Sequence, residues 1–500
     1  MRFIFLLLIP CSLMGQGVNS ISANQRVVGS YSGPGCPSCG GSRISTSISG
    51  VDTFSINTQR FLASNGANIS DENGNLLFYT DGLAILNLQG NVIPNGDSIC
   101  PTPYAYSLLN IQGGYNFPQS SFIFQNPGDS SKYTMIHSCL DDGSVANGPL
   151  KVWKSKFQVN ANDSISTIEK NVTLINDTVE FSGIVGCKHA NGRDWWVLIK
   201  KWNSTLHYSL LFTPDSIYSY INDVPGTPPA YDVARAVFSK DASKYATYDS
   251  NSGLRLFDFD RCYGQLSLLS TIPDPNGGNF TGFSGNFSSN GNYFYFNNFM
   301  NIYRINMSSN LLPSDVELVR NYTPFVDSAF GFQNKYHTME VGNDGKLYIG
   351  GTGSCRYYCT IDNPDALDIA DIGYHHFEFQ IPYFNNHTYT NHANYGLGQL
   401  SGSPCDTLGL TVGKLQIMAL QINLAPNPNN GNFTVNFTEQ KISGVLKVYD
   451  LNGQLMHSEY VAPWSNTKQV NLQHQLSNGM YALRLSFGEQ TGVVKFVVEK

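Results

Sequence analysis

The chain has 500 residues, of which 13% are charged and 13% are aromatic, and its formal net charge is −7. This length exceeds one ordinary core, and the plentiful Gly, Asn, Ser and Tyr favour strands and turns over helices, so we expect an all-β protein of more than one domain. The acidic balance, without any Lys/Arg cluster, excludes a basic surface for nucleic acid.

The amino terminus, MRFIFLLLIPCSLMGQG, carries one positive charge, then a short apolar run, then small residues. This pattern predicts a secretory signal peptide over residues 1–17, because the apolar run is too short to span a membrane. Lipidation of Cys11 is the alternative, which the preceding Pro10 disfavours. No later segment reaches the ~18 uninterrupted apolar residues of a spanning helix, so we expect an exported mature chain without one.

Nine cysteines follow the signal peptide, and in an oxidising compartment some of them should pair. The motifs CPSC and CRYYC bring two pairs close in sequence, and we predict possible local disulfides for Cys36 with Cys39 and for Cys355 with Cys359. Zinc binding, a redox role for CPSC and unpaired core cysteines are the alternatives.

A turn rich in Asn, Asp, Gly and Ser, followed by an aromatic strand, recurs along the chain. Successive copies are 54, 64, 51, 48 and 54 residues apart when aligned on Gly74, Gly128, Gly192, Ser243, Gly291 and Gly345. A period near fifty residues with about four short strands per unit predicts a β-propeller over residues 18–406, because packing small sheets around an axis buries their faces.

We expect seven blades, with six as the alternative. The seventh would be completed by strands near Ile44–Ile56 pairing with strands near His376–Phe384. The first copy, DENGN, alternates Asp71, Asn73 and Asn75 as calcium ligands do, but it lacks a distal carboxylate, so we interpret it as a hairpin turn.

Several longer phrases accompany these turns: DENGNLLFYTDG, CKHANGRDWWVLI, LRLFDFD, GNFSSNGNYFYF and NPDALDIADIGYHH. Together they resemble secreted β-propeller proteins of the Bacteroidetes, over roughly Gly50 to Asp406. The resemblance implies the propeller fold and transfers no active site.

After a linker at 407–422, alternating patterns over residues 423–500 predict a small Ig-like antiparallel β-sandwich of about seven strands. Its motif residues are Pro426, Asn427, Pro428, Gly431, Phe433, Tyr449, Asp450, Gly453, Leu476, Ser477, Gly479, Tyr481, Arg484 and Lys495. In order and spacing they resemble the type A C-terminal sorting domain of the type IX secretion system. The resemblance implies passage through the periplasm, the type IX machinery as a partner, and a secreted or surface-attached product.

Histidines cluster near the end of the propeller, where a metal site could use His375, His376, His387 and His392 with Glu378 and Asp371. Adjacent histidines on a strand point to opposite faces, and no HExxH spacing occurs, so we predict no metal and no other cofactor. Neither a nucleophile elbow nor a phosphate-binding loop is present, so we assign no catalytic residue.

The leading hypothesis is a non-enzymatic propeller that presents a binding surface, adhesive or glycan-binding, to a glycan or a protein. Aromatic residues that would suit carbohydrate stacking are Tyr104, Tyr106, Tyr115, Trp195 and Trp196, although most strand aromatics should be core. The alternative is an extracellular propeller hydrolase of polysaccharide or peptide. Hydrolysis of a polysaccharide would need two carboxylates, and the sequence spacing does not show which two would act. The available acids are Asp141, Asp142, Asp194, Asp249, Asp327 and Glu340.

Overall fold

The computed structural model describes residues 25–29, 39–47, 50–58, 60–71, 74–111, 113–144, 148–160, 164–224, 235–249, 253–275, 284–406, 420, 422–440, 443–450, 454–487 and 490–500. The chain divides into two compact units, unit 1 (Met1–Gly409) and unit 2 (Leu410–Lys500), and this division falls inside the predicted linker. The predicted signal peptide lies outside the described residues. Within the described ranges, no helix is long and apolar enough to cross a membrane.

Unit 1 consists of small sheets that follow one another along the chain. The first three, sheets 1 to 3, contain β1 (Gln25–Gly29), β2 (Gly41–Ser47) and β3 (Gly50–Ile56); β4 (Asn65–Ser70), β5 (Leu76–Thr80) and β6 (Ile85–Leu86); β7 (Ser121–Gln125), β8 (Lys132–Ser138), β9 (Val152–Val159) and β10 (Ile165–Ile175). One helix, α1 (Pro103–Asn110), lies between β6 and β7.

Sheets 4 to 7 have four strands each. They contain β11 (Val185–Lys188), β12 (Trp195–Lys200), β13 (Leu206–Phe212) and β14 (Ile217–Asp223); β15 (Arg235–Phe238), β16 (Lys244–Asp249), β17 (Gly253–Asp260) and β18 (Gln265–Ile272); β19 (Ser284–Phe287), β20 (Tyr293–Asn297), β21 (Asn301–Asn306) and β22 (Val316–Asn321); β25 (Tyr336–Val341), β26 (Leu347–Gly351), β27 (Ser354–Ile361) and β28 (Tyr374–Asn386). A two-stranded ribbon, β23 (Phe325–Val326) and β24 (Gln333–Asn334), precedes sheet 7, and short 3-10 helices span Pro313–Asp315 and Ile369–Asp371.

The strands of these sheets pair with their neighbours in chain order, and the first strands of successive sheets lie side by side, as β15 does with β19 and β19 with β25. First strands from most of the sheets also surround one central cavity. This arrangement is a β-propeller-like fold. The count of seven blades against six stays a prediction.

Aromatic side chains fill the spaces between adjacent sheets. Phe124 of sheet 3 packs against Trp195 and Phe212 of sheet 4, with ring centroids 5.5 Å and 5.0 Å apart. Sheets 5 and 6 meet in the same way through Tyr248 and Phe296, at 5.3 Å. The aromatic strands are therefore the inter-sheet core, which explains the high aromatic content of the chain.

The recurring turn is the hairpin between the first and second strands of a sheet. Four copies, at residues 189–194, 239–244, 288–293 and 342–347, share the same two hydrogen bonds. The backbone N–H of the fourth residue donates to the carbonyl of the first, at 2.8–3.0 Å. The side chain of the third residue, Asn or Asp, accepts from the backbone N–H two positions later. The fourth residue has a positive φ, which glycine adopts without a steric penalty. Sheet 5 departs from this rule, because Ala242 at φ 54° holds the glycine position rather than the aligned Ser243.

The two ends of unit 1 meet differently from the expectation. Strands β2 and β3 pair with each other, while β28 pairs with β27, so the predicted pairing between residues near 44–56 and 376–384 is wrong. Instead β29 (Tyr389–Asn391) adds to sheet 2 in parallel beside β4. The closing strand comes from the segment after the last sheet, because that segment turns inward to the central cavity.

Unit 2 is a sandwich of two antiparallel sheets. One sheet has the order β30 (Ile422–Ala425), β31 (Asn432–Phe437) and β34 (Thr467–Asn471); the other has the order β33 (Leu455–Val461), β32 (Gly444–Tyr449), β35 (Gly479–Phe487) and β36 (Gln490–Val498). Their inner faces bury Phe433, Val435, Leu446, Leu483 and Phe496. The seven strands confirm the predicted sandwich.

Candidate functional site

A cavity of about 610 Å³ lies at the centre of unit 1, and we call it the axial cavity. Residues from β1, β11, β15, β19 and β25 form its walls, and the recurring turns that follow β15, β19 and β25 contribute Ser239–Asp241, Ser288–Asn290 and Gly342–Asn343. Residues from β29 onward, 389–394 and 396–398, complete the lining. The recurring turns found in the sequence therefore line one part of the axial cavity.

The segment after sheet 7 is fixed across the cavity by hydrogen bonds to several sheets. The Asn391 amide donates to the carbonyl oxygens of Ser121 and Ile184, at 2.8 Å and 2.6 Å, and the Thr388 hydroxyl donates to the Leu62 carbonyl at 2.7 Å. Farther along, Cys405 forms a disulfide with Cys262. The wall that this segment provides is therefore cross-linked to sheets 2, 3 and 5.

Two arginines of the lining are engaged by the protein itself. Arg26 pairs with Glu340 at 2.5 Å and donates to the Val341 carbonyl. Arg261 donates to the carbonyl oxygens of Lys188 and Gly398 at 3.0 Å and 2.8 Å, and burial lowers the pKa of its guanidinium. Both cations hold the cavity together, which leaves them little capacity to bind a ligand.

The carboxylates of the lining are also engaged. Glu340 accepts from Arg26 and from the backbone N–H of Thr390, at 3.3 Å. Burial acts to raise the pKa of Asp241, but hydrogen bonds from Ser239 and Ser243 outweigh it and leave the pKa below its ordinary value. Within the described part of the lining, these two are the only carboxylates.

Several polar groups of the lining have no partner in the described part of the chain. The Asn286 amide and the Lys240 ammonium make no hydrogen bond there, and Nε2 of His392 is buried without one. Burial holds the pKa of His392 well below its usual range, so the ring is neutral near pH 7. The Asn286 amide and the Lys240 ammonium are therefore available to a ligand, whereas the His392 ring borders the cavity with its Nε2 atom buried.

The aromatic residues that suited carbohydrate stacking lie elsewhere. Trp195, Trp196 and Tyr115 are buried core side chains, and Tyr104 and Tyr106 belong to helix α1. The aromatic side chains that do line the cavity are Phe238, Phe287 and Tyr389, which the sequence did not single out. Phe238 and Phe287 could have been marked only by their position at the ends of first strands, whereas Tyr389 opens β29.

The histidines of the predicted cluster are dispersed. His375 lies 3.1 Å from both Asp362 and Glu378, and His376 lies 2.8 Å from the Tyr374 hydroxyl. The ring of His387 packs at a tilt against that of His337, with centroids 4.5 Å apart. In the described ranges, no group of three or more metal-ligating side chains is present. Asp371 ends a 3-10 helix and joins none of them.

The acids considered for hydrolysis are dispersed as well. Asp194 bonds Arg193 and Asn191 within its own turn, and Asp327 is fully buried against Arg356. Asp142 accepts from the Ser144 N–H in a loop. Among those of the six acids whose side chains the structure describes, Glu340 alone lines the axial cavity, and the Asp249 side chain lies outside the described part.

The cysteine pairs differ from the prediction. Cys355 and Cys359 are free and buried, because residues four apart on a strand are separated by a rise of ~13 Å, whereas a disulfide requires Cα atoms within ~7 Å. Cys36 lies outside the described residues, so its bridge stays a prediction, although Cys39 is disulfide-bonded. The bridges Cys100–Cys139 and Cys262–Cys405 join cysteines 39 and 143 residues apart, which spacing alone did not indicate.

In unit 2 the predicted motif residues hold the carboxyl-terminal strand in place. Side-chain atoms of Asn427 accept from the Val497 N–H at 2.8 Å and donate to the Lys495 carbonyl at 3.3 Å, so this side chain covers the edge of β36. The Lys500 ammonium reaches the Leu476 carbonyl, and the Tyr481 hydroxyl donates to Ser477 at 3.1 Å.

Other motif residues lie in turns, in the core or on the surface of unit 2. Gly431 has φ 97°, and a Cβ there would meet Gln473 at 2.7 Å. Asp450 accepts from the Gln454 N–H at 2.8 Å, while Gly453 lies outside the described residues. Phe433 packs at a tilt against Phe496 in the core, and Arg484 and Lys495 are exposed.

Residues 423–499 match the family model of the secretion system C-terminal sorting domain. The match confirms the predicted sorting domain. The protein is therefore exported by the type IX secretion system and is secreted or held at the cell surface.

Solved structures show a weaker likeness. A candidate 6-phosphogluconolactonase from Bacteroides uniformis is 11% identical with a TM-score of 0.43, covering 73% of this chain and 98% of that one. PorZ of Porphyromonas gingivalis, an essential surface component of the type IX secretion system, is 11% identical with a TM-score of 0.30, covering 92% and 68%. The sequence matches none of the curated proteins. At these values the likeness transfers no activity to this chain.

Proposed function

We propose that the exported propeller-like unit is a binding module, and that the axial cavity takes an uncharged polar ligand of the saccharide class. The observation that carries this proposal is the set of unpartnered polar groups in a cavity of about 610 Å³, a size usual for small-molecule sites. Asn286 and Lys240 can each form hydrogen bonds with hydroxyl groups, and Phe238, Phe287 and Tyr389 supply apolar surface.

The state of the carboxylates supports binding over hydrolysis. Asp241 and Glu340 accept hydrogen bonds from protein donors, and a general acid must instead hold a proton that it can transfer. Glycoside hydrolysis needs such an acid beside a second carboxylate.

Thermal-shift screening of the mature full chain against neutral oligosaccharides, followed by calorimetry on the best one, tests the proposal. We expect saturable binding at one site per chain. The variants Asn286→Ala and Lys240→Ala should each weaken it about 5- to 30-fold, which corresponds to the loss of one hydrogen bond.

Matched variants outside the cavity, Asn436→Ala and His474→Ala, should leave affinity unchanged, because both side chains are exposed on unit 2. Binding that neither cavity variant weakens would reject this site. Turnover of the oligosaccharide that Asp241→Asn abolishes would reject the binding role in favour of hydrolysis.

A further inference from the structure

The two outer faces of the sorting domain differ in chemistry. Outward positions of the three-stranded sheet are occupied by small or neutral polar residues, as at Thr434, Asn436 and Gln469. The four-stranded sheet instead exposes large apolar side chains, with Tyr460 and Val493 each 61% exposed, Met480 45% and Val445 41%. Strand alternation alone does not require large apolar side chains here, because the outer face of each sheet contacts water.

The apolar residues lie on the same face as three cations. Lys447 is directly opposite Arg484 on the neighbouring strand, and Arg484 is opposite Val493. Lys495 is on that face as well, opposite Ala482. We call this surface the cationic face, defined by Val445, Lys447, Tyr460, Met480, Arg484, Val493 and Lys495.

The cations of this face have no carboxylate partner in the described part of the chain. Lys447 and Arg484 are direct cross-strand neighbours of like charge, an arrangement that destabilises a sheet. In a chain whose net charge is −7, this local excess of positive charge is unusual. A bound partner with carboxylates opposite the pair would relieve the repulsion.

Strand addition at the carboxyl-terminal half of β36 is blocked, because that part of the edge is already covered. Asn429 donates its backbone N–H to the Val497 carbonyl at 2.9 Å and accepts from the Glu499 N–H at 2.7 Å. With the Asn427 side chain, these bonds occupy backbone groups of Lys495, Val497 and Glu499 that an added strand would need. The cationic face itself is open and can serve as a docking surface.

We propose that the cationic face is the surface by which the secretion machinery holds this domain, and that the contacting surface of that machinery is acidic with apolar patches. Charge complementarity to Lys447, Arg484 and Lys495 sets the orientation of the complex, and Tyr460 and Val493 supply apolar contact.

Export of the full chain from cells that carry the secretion system tests this proposal. In the double variant Lys447→Glu/Arg484→Glu, the exported fraction should fall by about tenfold or more, because two attractive contacts become repulsive. The matched double variant on the other face, Asn436→Glu/Gln469→Glu, should be exported at less than about twofold below the unchanged chain. Equal export of the two double variants would overturn the proposal.

The single variant Lys447→Glu separates recognition from folding. It places a carboxylate opposite Arg484, so the Tm of the purified chain should rise or stay constant, while export falls. Export that follows Tm would overturn the proposal, since the effect would then be structural. Self-association of the purified chain that Lys447→Glu abolishes would also overturn it, because the face would then join two copies. None of these outcomes depends on the axial cavity.

Discussion

Arg26 and Glu340, 314 positions apart, form an ion pair in which the Arg26 side chain is 9% exposed and the Glu340 side chain 12%. Arg26 lies in the first strand of sheet 1 and Glu340 in the first strand of sheet 7, so the pair joins the two ends of the propeller-like unit beside the axial cavity. The Thr46 hydroxyl and the Val341 carbonyl oxygen accept hydrogen bonds from the same guanidinium. Closure of this unit thus depends on a charge pair in its interior.

Removal of one partner of this pair should destabilise unit 1 strongly. We expect Glu340→Ala to lower the free energy of unfolding by about 3 kcal/mol, because a buried guanidinium loses its counter-charge. Denaturant unfolding followed by tryptophan fluorescence measures the loss. As a control, Asp129→Asn at the exposed Lys132 pair should cost below about 1 kcal/mol. Equal costs at the two sites would contradict a structural role for the pair.

The disulfide between Cys262 and Cys405 should influence both stability and binding. Replacement of both cysteines by serine should cost about 2–4 kcal/mol, and it should weaken ligand binding because the cavity wall after β29 is released. Calorimetry and thermal unfolding measure the two effects.

The double serine variant of Cys100 and Cys139 is the matched control. Those cysteines form a disulfide that contributes no residue to the cavity lining, so stability should fall without a change in affinity. Parallel losses of affinity in both variants would show that the cavity responds to global stability only.

Gly291 should be sensitive to a side chain for conformational reasons alone. Its φ is 81°, and an added Cβ would meet nothing within 4 Å. We expect Gly291→Ala to cost about 1 kcal/mol, the penalty for an L-residue in the left-handed region. At Gly398, which has equal space and no positive φ, the same substitution should change stability by less than about 0.5 kcal/mol. Denaturant midpoints compare the two.

Stability should fall in acid because buried histidines must gain a proton to ionise. Burial lowers the pKa of His137 to about 3, against 6.5 in an unfolded chain. The folded state therefore binds fewer protons below pH 6.5, so stability is complete above that value and declines as the pH falls towards 3.

The decline should have a slope of about 1.4 kcal/mol per pH unit for each such histidine. The variant His137→Gln should flatten the pH dependence of the unfolding free energy by that amount between pH 6 and pH 4. Asn436→Gln, at an exposed position without a titratable group, should leave the profile unchanged. A profile that His137→Gln does not flatten would contradict the buried neutral state.

Much of the fold was accessible from local patterns. The Asn-Gly turns were recognisable because a positive φ and an Asx hydrogen bond depend on neighbouring residues only, as at Asn290 and Gly291. The helix was missed although its start was marked, since Thr102 caps α1 and Pro103 opens it. The site itself was missed: Asn286 and Lys240 are ordinary polar residues in sequence, and Glu340 and His392 were considered only for other roles.

By itself, the sequence determined the all-β class, the repeating turns and the export domain, because each depends on alternation, turn chemistry or motif spacing within a few dozen residues. Tertiary structure alone decided the cysteine pairs, the Arg26–Glu340 contact and the chemistry of the axial cavity. The physical reason is distance along the chain: these groups meet only when the sheets close around one axis, and no local preference encodes which residues then face each other.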